Sequence, residues 1–169
     1  MITMDRKQEI LKIIKESDKA VPASKLATLL GVSRQIIVGD VALIRAAGTH
    51  ITATPRGYII EEKDNPLESK IAVKHHNEDL AEELYTIIDL GGMVVDVIVE
   101  HPIYGELVGN LHLRSRYEID QFLTKVKDTQ PLSQLTDGVH LHTIRYPSLD
   151  VYHRIIEALK QKDFLLKKK

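Results

Sequence analysis

The 169-residue sequence predicts a mixed α+β chain in two parts. The first is a bundle of three short helices closed by a β-hairpin. The second is an α+β domain with a mostly antiparallel sheet and helices on one face. Three observations carry that prediction. The charge changes sign along the chain: residues 1–60 hold nine Lys and Arg against five Asp and Glu, and residues 61–169 hold fourteen against nineteen. The change falls at 61–70, EEKDNPLESK, a charged stretch with Pro66 in its middle that reads as a linker. Helix-spaced apolar residues precede a single hairpin in the first part, whereas helix-like and strand-like segments alternate through the second. The domains are accordingly placed at 1–62 and 68–169.

In the first domain, Asp5 is placed to cap a helix whose apolar stripe is Ile10, Leu11, Ile13 and Ile14. Val21-Pro22-Ala23-Ser24 breaks the chain, and a second short helix follows with Lys25, Leu26, Ala27, Leu29 and Leu30. Gly31 can take positive φ at the end of that helix, where a side chain would clash. Val32 anchors the turn in the core. Ser33 can accept a backbone N–H and so start a third helix, from Arg34 to about Ala47. Short helix, glycine turn, cap and second helix is the sequence form of a helix-turn-helix. Ser33, Arg34, Gln35 and Val38 at the start of the third helix are placed to reach base edges and phosphates. Arg can bond guanine bidentately, and Gln adenine. Ile36, Ile37, Val41 and Ile44 are expected on the buried side. After Gly48, residues 51–60 (ITATPRGYII) read as two strands around a Pro55-Arg56-Gly57 turn. That makes a winged helix-turn-helix, with Arg56 at the wing tip suited to the minor groove or a phosphate.

In the second domain, helices are expected at 77–90 (Asn77 cap, then Leu80, Leu84, Ile87, Ile88), 115–128 (Ser115 cap) and 148–162 (Ser148 cap). Gly91-Gly92 ends the first of them. Strands are expected at 93–100, 106–113 and 139–146. The first two strands form a hairpin across His101-Pro102-Ile103-Tyr104-Gly105.

Composition excludes several function classes. With no cysteine there is no disulfide framework, no Cys-ligated zinc and no thiol nucleophile. Apolar runs extend only a few residues, and MITMDRKQEI lacks a signal-peptide core, so a cytoplasmic protein with no membrane partner is expected. The net charge of −1 does not by itself argue for nucleic acid, but the basic first domain fits a phosphate-facing surface. The lysine run 167–169 reads as a solvated end. No phosphate loop, nucleotide fingerprint or Ser-His-Asp order is visible, and only about 100 residues follow the linker, which argues against an enzyme.

The histidines carry the candidate chemistry. Seven of the eight lie in the second domain. His140-Leu141-His142 falls on an expected strand, where residues two apart face one side, so both imidazoles can point at one spot. His75 lies just before the first helix of the domain, and Glu83 about two turns along it. Two imidazoles, a third from elsewhere and a carboxylate suit zinc, nickel or ferrous iron. His76 replaces His75 in that set if the register moves by one. His101 and His112 are open between turn or surface positions and the lining of the same pocket. His50 and His153 read as structural or solvated.

The segments LGVSRQIIVGDVALIRAAG and TPRGYII in the first domain, with VKHHNEDLAEEL, GGMVVDVIVEHPIYGEL and GVHLHTI in the second, span nearly the whole chain in order. In them the sequence resembles the niacin-responsive transcriptional repressors, which join a winged helix to a "three-histidine" domain. The resemblance implies a repressor of niacin uptake, salvage or NAD-synthesis genes, with operator DNA as partner and nicotinic acid as corepressor. It also implies a second domain that binds a divalent metal and forms a homodimer. The family's metal ligands map to His75, Glu83, His140 and His142. Gly39 departs from the pattern, since a longer polar residue is expected there on the recognition helix. The mechanism this suggests has one end of nicotinate on the metal and the other held by His101 and Tyr104. Binding then favours a dimer whose recognition helices sit one DNA turn apart, about 34 Å. A metal-responsive repressor without an organic ligand is the alternative reading, and a DNA-binding protein whose second domain only dimerises is a further one.

Overall fold

Helix formers and chain-reversing residues alternate through the first sixty positions, and the backbone follows them. A computed structural model describes residues 5–60, 67–126 and 138–166; the stretch 61–66, the end of the helix expected to reach 128, and the lysine run 167–169 lie outside them. The chain divides into two units, Met1–Asp64 and Asn65–Lys169. In the first, α1 (Arg6–Glu16) follows Asp5, whose backbone N–H donates to Gln8 Oε1. Next, α2 (Ala23–Leu30) starts directly after Pro22, a residue without the N–H that a helix start leaves unpaired. It closes at Gly31, whose φ of +68° is left-handed. Ser33 then opens α3 (Arg34–Ala46), its Oγ accepting the Ile36 N–H at 3.1 Å.

The wing is an antiparallel pair, β1 (Ile51–Thr54) and β2 (Gly57–Ile60), with Ile51 opposite Ile60. Val21 bridges to Tyr58, so the chain between α1 and α2 is stitched to the wing. Ile10, Ile14, Leu26, Ile37, Val41, Ile44 and Ile51 form the core of this unit. Arg6 clamps Asp40 through two bonds of 2.5 and 3.2 Å, tying α1 to α3. One expectation is corrected here. Ile36 is 43% exposed, and the buried side of α3 is Ile37, Asp40, Val41 and Ile44. Ile36 precedes Ile37 by 100° of helix rotation, which carries it out of the core.

The second unit runs β3 (Leu67–Lys74), a 3₁₀ turn (Asn77–Asp79), α4 (Leu80–Asp89), β4 (Met93–His101), β5 (Gly105–Leu113), α5 (Arg116–Val126), β6 (Val139–Tyr146) and α6 (Leu149–Gln161). The four strands form one antiparallel sheet in the order β3-β6-β4-β5. Ser115 and Ser148 cap as their positions suggest, accepting the N–H groups of Glu118 and Val151. The helices bury Leu84, Ile87, Ile119, Ile155 and Leu159 in one cluster with Ile71, Val73, Val94 and Ile144 of the sheet.

The reading of 61–70 as linker is corrected by β3, which begins at Leu67. Only Ile71 and Val73 of this strand are buried; Glu68 and Lys74 are exposed. A strand with so few core contacts has the composition of a connection. Its outer edge is covered by the chain after α6, where Val73 bridges Leu165 and Leu166 N–H donates to the Ala72 carbonyl. That cover occupies the 72–74 end of the edge, which is thereby kept from pairing with another chain. Among the described residues, no single helix is long and apolar enough to cross a membrane.

Candidate functional site

Three elements bring four side chains together under the sheet. On β6, His140 and His142 face inward with Ile144, opposite Val73 and Ile71 of β3. On α4, the inward face is Leu80, Glu83, Leu84 and Ile87, spaced i, i+3, i+4 and i+7, so helical periodicity alone carries Glu83 into the core. His75 stands just past the end of β3, where its backbone N–H donates to the Gly138 carbonyl at 3.4 Å. All four are buried: His75 is 7% exposed, His140 2%, His142 1% and Glu83 0%. His76 is exposed, so the geometry selects His75 from the pair.

The orientation of each imidazole is set from behind. His75 Nδ1 is 2.8 Å from the His76 carbonyl, His140 Nδ1 is 2.9 Å from the Gly138 carbonyl, and His142 Nδ1 is 2.7 Å from the Asp96 carbonyl. A carbonyl only accepts, so each Nδ1 carries a proton and donates it. In the neutral ring, Nε2 is then a bare lone pair. All three Nε2 atoms converge on Glu83: His75 and His140 on Oε2, the latter at 3.3 Å, and His142 on Oε1 at 2.6 Å. Among the described residues, Glu83 Oε1 and His142 Nε2 make no hydrogen bond despite their proximity. One donor atom each from His75, Glu83 and His140 lies within 4.8 Å of the others, and His142 meets the other oxygen of the same carboxylate.

Lone pairs facing lone pairs repel unless a cation lies among them. Burial pushes the Glu83 carboxyl up, but the close His142 and His140 rings outweigh it and hold Glu83 well below the usual carboxylate range. Burial lowers His140, favouring its neutral form, despite the nearby carboxylate. For His142 the pull of Glu83 outweighs burial and favours the protonated ring, so a proton between His142 and Glu83 is the alternative to a metal cation at that contact. The donor set therefore fits a divalent metal: imidazole nitrogens and one carboxylate, no thiolate, and a carbonyl behind every ring to fix its tautomer.

Two residues that the sequence did not single out build this arrangement. The Gly138 carbonyl accepts from both His140 and His75, and its φ is +88°. A Cβ there would sit 2.2 Å from the His75 carbonyl oxygen. Asp96 lies at an irregularity in β4, where pairing with β6 lapses between Val94 and Ile98. Its carbonyl accepts from His142 and its Oδ1 from the Thr143 N–H at 2.8 Å. A glycine just before the histidine pair, and an acid inside the apolar run MVVDVIVEH, were the available signals.

His101 and Tyr104 meet each other at the β4–β5 turn, with rings 4.9 Å apart. His101 Nδ1 accepts the backbone N–H groups of Ile103 and Tyr104. Among the described residues, neither contacts the four-residue cluster. His112 is buried on β5 with φ +49°, so it is neither a turn nor a surface residue. His50 and His153 are exposed. In the first unit, Ser33, Arg34, Gln35 and Val38 are all exposed at the start of α3, and Arg56 is half-buried at the wing turn.

The comparisons agree with this division. Residues 6–59 match an HTH domain family, and residues 68–168 match the 3H domain family. The chain is 42% identical over 167 residues to a probable transcription repressor, NiaR, of Thermotoga maritima, covering 98% of this chain and 95% of that protein. It is 37% identical over 169 residues to the transcription repressor NadR of Bacillus subtilis, covering 96% and 94%. Both relatives are named as transcription repressors and are matched over nearly their whole length, and the chain is not an enzyme. It belongs to the NiaR/NadR family of transcription repressors, a helix-turn-helix domain joined to a 3H domain.

Proposed function

We propose that the chain represses genes of niacin uptake, salvage or NAD synthesis, with nicotinic acid as corepressor sensed in a metal-containing second domain. The observation that carries the sensing half is the convergence of three backward-anchored imidazoles on a buried carboxylate. The names of the relatives, NiaR and NadR, support the niacin and NAD half. Residues 1–62 are assigned to operator binding in the cytoplasm, through Ser33, Arg34, Gln35, Val38 and Arg56. Residues 68–169 are assigned to sensing and to formation of a homodimer.

His75, Glu83, His140 and His142 are the proposed ligands of nickel, zinc or iron. When bound, such an ion supplies a Lewis-acidic position for one donor atom of nicotinate. The chain's part is orientation. The carbonyls of His76, Gly138 and Asp96 hold the rings so that no rotamer search accompanies binding. His101 Nε2 and the Tyr104 hydroxyl are proposed to hold the other end of nicotinate. Ile98 pairs with Leu141, and β4 then runs three residues on to His101, toward the end of β6 that holds His140 and Gly138. An anionic carboxylate distinguishes nicotinate from nicotinamide at such a contact. The corepressor shifts the dimer toward its operator-binding arrangement only by its differential affinity for that arrangement.

Isothermal titration of metal-loaded and metal-stripped chain with nicotinate and nicotinamide tests this. Saturable binding of the acid alone, lost on stripping, is expected. Retained metal with no heat from either pyridine would sink the niacin reading and favour a repressor that senses metal alone.

A further inference from the structure

The outward face of α3 contains a residue that the fold does not explain. Ile37, Asp40, Val41 and Ile44 point into the core. At 100° per residue, the direction opposite them is occupied by Gln35, Gly39, Ala42 and Ala46, all exposed. Glycine inside an exposed helix is about four- to fivefold worse than alanine in the folding equilibrium constant. Two structural reasons commonly justify that cost, and neither holds at Gly39. Its backbone is helical rather than left-handed, since it is absent from the positive-φ glycines. A Cβ built on it meets nothing within 4 Å. The fold of the first unit therefore supplies no reason for the missing side chain.

We propose that Gly39 is the point of closest approach between α3 and operator DNA, where the helix backbone packs against a thymine 5-methyl group in the major groove. This rests on the operator-binding reading of the first domain. The chemistry of the face favours such a contact. Gln35 is the one hydrogen-bonding side chain in the outward stripe. Val38 flanks it and is 42% exposed, and Ala42 follows Gly39 on the same face. Short apolar groups match thymine methyls and offer nothing to the cytosine amino group. Arg34 and Arg45 lie beside Val38 in rotation and are exposed, placed to take phosphates while the bare backbone is admitted to the groove floor.

The test uses the full chain, with and without nicotinate and divalent metal, and a duplex obtained by selection from random DNA. Gly39→Ala is expected to raise the melting temperature while lowering affinity for the selected duplex at least tenfold. Affinity for poly(dI-dC) is expected to stay within twofold, because phosphate contacts set it. Replacing each thymine in turn by deoxyuridine removes only the methyl group. At least one position per half-site is expected to lose threefold or more with the wild-type chain and nothing further with Gly39→Ala. Equal affinity of Gly39→Ala and wild type for the selected duplex would overturn the proposal while leaving operator binding intact. Insensitivity to every deoxyuridine would overturn the thymine contact. Failure of the wild-type chain to select any duplex would overturn the operator reading itself, and this inference with it.

Discussion

Replacing Gly138 by alanine tests whether the imidazole cluster is built from behind. The residue has φ +88°, and a Cβ would lie 2.2 Å from the His75 carbonyl oxygen and 3.2 Å from its carbonyl carbon. Left-handed backbone costs a residue with a side chain about 1–2 kcal/mol. Forcing an atom into packed backbone adds about 1–3 kcal/mol. Gly105 supplies the control, since its φ is +78° and nothing lies within 4 Å of its Cβ position. Gly105→Ala should show the backbone cost alone. Gly138→Ala should lose at least about 1 kcal/mol more, near 4–8 °C in melting temperature for a unit of this size. The overlap moves His75 away from the carbonyl that also anchors His140, so both rings lose their aim. On the proposed reading, metal affinity then falls about 10–100-fold, as for loss of an outer hydrogen-bonding partner. Thermal unfolding without metal and calorimetric titration with nickel and zinc measure the two effects. Equal destabilisation by the two substitutions, with unchanged metal affinity in both, would refute the reasoning.

Other predictions follow from the same geometry. Glu83→Ala leaves three buried imidazoles around no carboxylate; the second unit should lose about 3–5 kcal/mol and its proposed metal together, checked by denaturant unfolding and metal analysis. Ser33→Ala leaves the Ile36 N–H without its cap and should cost about 1 kcal/mol in the stability of the first unit, read from its melting transition. The hydrogen bond from Arg6 holds Asp40 below the usual carboxylate range. Its contribution is therefore complete above the unfolded carboxylate pKa of about 3.9 and is lost as pH falls through the lower folded value. Asp40→Asn should flatten that acid limb in a stability-versus-pH series and leave the neutral limb parallel to wild type. Metal binding competes with protons for the ring nitrogens, so affinity should fall as pH drops, seen in titrations at stepped pH.

Local rules made much of this protein legible from its residues. Gly31 and Ser33 act on their own backbone and the next turn, so helix end and helix start could be read where they stand. The spacing of His140 and His142 placed both on one side of a strand without reference to anything else. The tertiary structure decided what depends on partners far along the chain. β3 has too few apolar residues to declare itself; it is a strand because β6 pairs with it on one side and the chain after α6 covers the other. His75 rather than His76 enters the cluster because the Gly138 carbonyl holds its backbone from more than sixty residues away. Ile36 faces outward because the core of the first unit accepts only the arc from Ile37 to Ile44. The tautomer of His142 is set by the Asp96 carbonyl on another strand, forty-six residues away. Periodicity fixes which side of an element a residue faces; only packing fixes what it meets there.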